Sequence, residues 1–102
     1  MRYVLHFGPE VLHIDMEGIF TFADSRDFHH MMSALTTKEG RGEIRLNVHR
    51  LESVDCTALS LLMQAHDFAK RVHRVLVFVE PKGQVLDALT RAAAYNGLRI
   101  AA

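Results

Sequence analysis

Apolar and polar positions recur along this chain with two periods, and the switches between them mark out its elements. Tyr3 to Phe7 and Val11 to Glu17 are short β-like runs, and Gly8-Pro9-Glu10 between them predicts a turn joining antiparallel strands. Gly18 is expected to end the second strand. Past Ile19-Phe20-Thr21-Phe22-Ala23, either Asp24 or Ser25 offers a side-chain oxygen to cap a helix running to about Thr36. Phe28, Met31, Met32 and Leu35 fall at i, i+3, i+4 and i+7, which gives that helix one core-facing stripe. Thr36 to Gly42 reads as a polar surface loop.

Ile44, Leu46 and Val48 alternate with Arg45 and Asn47 as a strand does, and Leu51-Glu52-Ser53-Val54 reads as a connection whose two apolar residues tuck under. A long helix is expected from about Cys56 to Arg71, with the Asp55 carboxylate accepting its orphan N–H groups and Ala58, Leu61, Leu62, Ala65, Ala69 and Val72 buried. Val75-Leu76-Val77-Phe78-Val79 fits a parallel strand covered on both faces. A last helix from about Lys82 to Tyr95 buries Val85, Leu86, Leu89, Ala92 and Ala93, stops at Asn96-Gly97, and leaves Leu98 to Ala101 for a short strand. The order ββαβαβα(β) predicts a single α/β domain over residues 1–102, with a mixed sheet of four or five strands and packed helices.

Composition narrows the function. The chain has 102 residues, 49% apolar and 24% charged, enough to bury roughly 65% of its unfolded surface without disulfides. Twelve Lys+Arg balance twelve Asp+Glu, so there is no global electrostatic footprint for nucleic acid or an anionic membrane, and recognition must be local. One cysteine excludes a disulfide framework and a Cys-rich metal site. The N-terminal apolar run is too short for a signal peptide, and no stretch approaches the roughly 18 apolar residues of a membrane span, so a cytoplasmic location without membrane insertion is expected.

Seven histidines invite a metal hypothesis. His29 and His30 are adjacent and diverge on a helix, His66 and His73 share a face two turns apart, and His6 and His13 face each other across the first hairpin. None of these groupings has the i, i+4 spacing of a helical zinc pair, so no metal and no cofactor is expected. Cys56 stands where a helix N-terminus lowers a thiol pKa, but Asp55 beside it opposes that, and a small space-filling residue is the better reading. With no phosphate loop and no nucleophile elbow, the sequence does not support an enzyme.

The segment Leu51 to Leu62 stands out, because it puts a hydroxyl residue, Thr57, in the first turn of an Asp-capped helix. Free N–H groups and the helix dipole favour a phosphate there, and an ordinary Thr is equally tolerated there. Ile-x-Leu-x-Val, Leu-x-x-Val-Asp, two small residues with a hydroxyl and Leu-x-Leu-Leu together resemble the signature of the STAS domain, the family of bacterial anti-sigma factor antagonists. That family reads Asp-Ser-Ser-Gly-Leu-Gly, with the second Ser phosphorylated by a partner kinase; Asp55, Cys56, Thr57, Ala58, Leu59 and Ser60 match it in order. Gly18, Phe20 to Asp24, Val75 to Pro81, Gln84-Val85-x-x-x-Leu89 and Gly97-Leu98 extend the resemblance over nearly the whole chain.

The resemblance implies a binding module switched by phosphorylation at Thr57, which replaces the family's Ser. Its partners would be an anti-sigma factor or a serine/threonine kinase of the histidine-kinase-like ATPase type, and a PP2C-like phosphatase. An alternative is the branch of STAS subunits in lipid-transporting ABC systems, whose loop reads closer to Asp-Thr-Ala-Gly and docks on the ATPase without a phosphorylation cycle. In both, Asp24, Ser25, Ser53, Leu59, Ser60 and Met63 are the expected partner-binding residues around the acceptor loop. Leu59 and Met63 lie on one helix face with His66 and Lys70, where they suit either a partner groove or the edge of the core.

Overall fold

A computed structural model of the chain describes residues 1–8, 10–36 and 42–101. The Pro9 turn position, the Leu35 side chain and residues 37–41 of the expected loop lie outside that set. The elements are β1 (Arg2–Phe7), β2 (Val11–Phe20), a 3₁₀ turn (Phe22–Asp24), α1 (Ser25–Thr36), β3 (Glu43–Val54), α2 (Cys56–Arg71), β4 (Val75–Val79), α3 (Gly83–Asn96) and β5 (Arg99–Ala101). They form one five-stranded sheet in the order β1-β2-β3-β4-β5. β1 runs antiparallel to β2, and the other neighbours are parallel.

A sheet whose parallel strands follow chain order, joined by the usual right-handed crossovers, carries all its helices on one face. Burial agrees. Leu12, Ile14 and Met16 of β2, Ile44 and Leu46 of β3, and Leu76 and Phe78 of β4 are buried, together with Phe28 and Met31 of α1, Leu62 and Ala65 of α2, and Val85 and Leu89 of α3. The intervening positions of β2, His13, Asp15 and Glu17, are exposed or half-buried on the other face. The expectation that β4 is covered on both faces is therefore corrected. Val77 is buried without a helix above it, flanked in register by Arg45 and Arg99, whose aliphatic stems can shield an apolar neighbour, while Val75 stays 39% exposed.

Several boundaries differ from expectation for local reasons. β2 does not end at Gly18 but passes through it to Phe20; Gly18 adopts φ +92° beside a register shift, a conformation that a side chain disfavours. β3 does not give way to a connection at Leu51 but continues to Val54, because two register shifts against β2 rephase its inward positions. The first helical turn is capped by Thr21, not by Asp24 or Ser25: the Thr21 hydroxyl accepts the Ala23 N–H, and the Asp24 carboxylate accepts the Thr21 N–H at 3.0 Å. Val72 and Leu86, expected in the core, are 44% and 39% exposed; Val72 lies just past the end of α2, and Leu86 turns away from the buried Val85–Leu89 stripe.

Candidate functional site

At one end of the sheet Phe20 of β2 and Val54 of β3 lie side by side in register, beyond β4, whose last residue Val79 pairs with Asn47. The carboxyl ends of strands are where open α/β sheets place their sites. Asp55 joins the ends of β2 and β3. Its Oδ1 accepts the Ala58 N–H at 2.7 Å and so caps α2, as the sequence predicts, while its Oδ2 accepts the Phe22 N–H at 3.0 Å from across the sheet end. Its own N–H donates to the Phe20 carbonyl at 3.2 Å. Gln84, in the first turn of α3, closes the third side: Oε1 accepts the Val54 N–H and Nε2 donates to the Val54 carbonyl, both at 2.9 Å. The loop that leads to Thr57 is thus clamped from the 3₁₀ turn and from α3.

Thr57 is exposed in the first turn of the capped helix, next to the exposed Cys56, and Ala58 turns its methyl into the core. The first N–H groups of a helix have no intrahelical acceptor, and the dipole there is positive, so added negative charge is tolerated at this position. Ser60 is exposed, whereas Ser53 is half-buried in β3 opposite Ile19. Leu59 and Met63 are partly buried and pack against the core, which gives them an edge-of-core position beside the site. Asp24 and Ser25 lie at the same end but are engaged. Asp24 Oδ1 stands 3.2 Å from the Met1 amino group, and the Ser25 hydroxyl donates to the Phe22 carbonyl at 2.6 Å.

The residue that sequence reasoning missed is Phe22. It is 69% exposed, yet its backbone is fixed on both sides, by Asp55 at the N–H and by Ser25 at the carbonyl. The signal was available in Thr21-x-x-Asp24, a capping box that makes Phe22 the first residue of a helical turn rather than part of an extended approach. Ile19, 55% exposed, adds apolar surface at the same end of β2.

The histidine groupings separate. His6 and His13 do face each other in register, but His6 Nε2 lies 3.2 Å from Asp15 Oδ2. His29 and His30 are exposed on α1, and His73 does not share a helix face with His66, because it lies beyond Arg71 in a left-handed conformation. Among the described residues no group of three or more His, Cys, Asp or Glu is placed to hold a metal, and no helix is long and apolar enough to cross a membrane.

A mixed sheet with helices on one face and a clamped, Asp-capped hydroxyl loop at its carboxyl end defines a small α/β domain. The chain belongs to the STAS family: the family model described as "Mlab, STAS domain" matches residues 4–99. A comparison with curated proteins finds no match. The fold is similar to that of a candidate anti-sigma factor antagonist from Thermotoga maritima, at TM-score 0.79 and 13% identity over 98% of this chain and 86% of that one. It is similar also to the anti-sigma factor antagonist SpoIIAA in its unphosphorylated form, at TM-score 0.73 and 14% identity over 99% of this chain and 87% of that one. The same fold recurs inside a larger protein, the murine anion transporter Slc26a9, at TM-score 0.71 and 16% identity over 84% of this chain and 14% of that one.

Proposed function

We infer that the chain is a non-enzymatic, protein-binding regulator of the anti-sigma factor antagonist kind, whose partner binding is switched by reversible phosphorylation of Thr57. The observation that carries this reading is the shared Asp55 carboxylate. It caps the helix that bears the exposed Thr57 hydroxyl and fixes the backbone of the exposed Phe22, so acceptor and apolar contact residue are held in one rigid unit. A phosphate on Thr57 adds about −1.5 to −2 charge at a helix N-terminus, where the fold accommodates it. A partner seated over Phe22 and Thr57 would meet the same charge as an unpaired group in its interface. The partner is an anti-sigma factor or a serine/threonine kinase of the histidine-kinase-like ATPase type, with a PP2C-like phosphatase reversing the mark in the cytoplasm.

The test is phosphate transfer from the cognate kinase and ATP to the wild type and to Thr57→Ala. Label on the wild type alone is expected; equal label on both excludes Thr57. No label on either favours the second reading, a STAS subunit docked on the ATPase of a lipid-transporting ABC system.

A further inference from the structure

The opposite end of the molecule carries a cluster that the acceptor loop does not use. Between the C-terminal half of α2 and the starts of β4 and β5 lies an open cleft of about 230 Å³, lined by His66, Lys70, Arg74, Val75, Leu76, Gly97 and Arg99. His66 and Lys70 are four residues apart on α2 and therefore neighbours on its surface. Arg74 is held at the rim by the end of the helix: its N–H donates to the Ala69 carbonyl at 2.8 Å and the His73 N–H to the Lys70 carbonyl at 3.2 Å, the paired bonds of a Schellman stop. Three cations thus converge from α2, from the stop that follows it and from β5, and among the described residues no carboxylate lines the cleft.

Two observations separate this cluster from ordinary surface charge. Among the described residues, no acid lies within ion-pair distance of Lys70, Arg74 or Arg99. The charges around the larger cavity on the open sheet face, by contrast, satisfy one another: Arg2 and Arg50 both reach Glu17, and His6 reaches Asp15. Secondly, Nε of Arg74 and Nδ1 of His66 are buried without a hydrogen-bond partner; the Asp67 carboxylate stands 3.5 Å from Nδ1 without bonding it. Buried polar groups are rarely left unpaired in native structures, and a bound ion or an ordered water beside them is one explanation of such a group. Cations near a helix C-terminus complement its dipole, which accounts for Lys70 and for Arg74 in the stop that ends α2, but not for Arg99 in β5.

We propose that this cleft binds a small phosphate-bearing anion, with Lys70, Arg74 and Arg99 supplying the charge and His66 forming part of the wall. Guanidinium groups present planar forks that match phosphate oxygens, and three cations offset a dianion. The volume lies below the roughly 300–1,000 Å³ of pockets for drug-sized ligands, which favours a phosphoryl group with little attached. A soluble phosphomonoester and a phospholipid headgroup present the same chemistry.

Amide chemical shifts of the ¹⁵N-labelled chain, titrated with inorganic phosphate and glycerol phosphate against sodium chloride at matched ionic strength, test the proposal. Saturable shifts at Lys70, Arg74, Gly97 and Arg99 are expected, weakened about 10-fold or more by Arg99→Gln and by Lys70→Gln, since each removes one charge-assisted contact. Both side chains are exposed, and the spectrum itself reports that the variants are folded. Flotation with phosphatidylcholine vesicles containing phosphatidate is the second arm. Flotation that the same variants abolish, without a response to soluble phosphates, assigns the anion to a headgroup; a soluble response without flotation assigns it to a free ligand. No saturable response in either arm, a response that chloride reproduces, or one that both variants retain overturns the proposal, and none of these outcomes bears on labelling of Thr57 at the far end.

Discussion

Asp55 uses both carboxylate oxygens, and this makes its identity testable. Ala at this position loses the helix cap, which is worth about 0.5–2 kcal/mol, and a charge-assisted bond to Phe22, a combined loss of about 2–3 kcal/mol. Asn retains one acceptor oxygen and loses about 1 kcal/mol. Urea denaturation of the two variants distinguishes them; an Asn variant that keeps the cap and is as stable as the wild type would show that the Phe22 bond contributes nothing. The cap itself was legible in the sequence, because an Asp before a helical run offers a local acceptor. The second bond was not, because it joins residues 33 apart in the chain that only the sheet brings together. His73 presents a similar contrast. Nothing in its neighbourhood announces a left-handed residue, yet it sits at φ 60° to complete the stop after α2. A left-handed L-residue costs about 1–2 kcal/mol, partly offset in glycine by unfolded-state entropy, so His73→Gly should stabilise the chain by about 0.5–1 kcal/mol. Thermal unfolding checks this, and a lower midpoint would mean that the imidazole makes a compensating contact.

At the scale of elements, the sequence revealed the helices and the short strands more clearly than the long strand β3. Its inward residues Ile44, Leu46 and Val48 are spaced by two, but Leu51 and Val54 follow at three, since each register shift against β2 inserts a residue into β3. A period of two broken in this way resembles the end of a strand, and only the pairing partner shows that it is not. The same extension carries Val54 to where Gln84 reads its N–H and its carbonyl together. The Gln amide supplies a donor and an acceptor from two separate atoms at once, as this pairing requires. Gln84→Ala should therefore cost about 1–2 kcal/mol by releasing α3 from the end of β3. Gln84→Glu should cost at least as much despite its matching shape, because it can accept from the Val54 N–H but sets a carboxylate oxygen against the carbonyl. Chemical denaturation of both variants decides the matter; a Glu variant as stable as the wild type would mean that the paired contact is not maintained in solution.

For the whole molecule, the mixed α/β architecture followed from element order, whereas the one-sided placement of the helices did not, because apolar runs such as Val75 to Val79 read alike whether the second cover is a helix or the stems of neighbouring arginines. That asymmetry leaves the carboxyl end of the sheet as a rigid platform, on which Phe22 stands exposed beside Thr57. An aromatic ring whose backbone is already fixed loses little entropy on docking, and such residues dominate binding energy at interfaces. Phe22→Ala should consequently weaken binding to the cognate partner by about 2 kcal/mol or more, roughly 30-fold, with stability changing by no more than about 0.5 kcal/mol, since the ring is 69% exposed in the free chain. Thr57→Glu, placing an unpaired charge in the same interface, should weaken it by about 2–5 kcal/mol, and Thr57→Ala should bind as the wild type does. Calorimetric titration of the partner with each variant, alongside its melting curve, separates the two effects. Wild-type affinity in Phe22→Ala would place the partner elsewhere on the domain, and wild-type affinity in Thr57→Glu would mean that charge at this helix start does not control the contact.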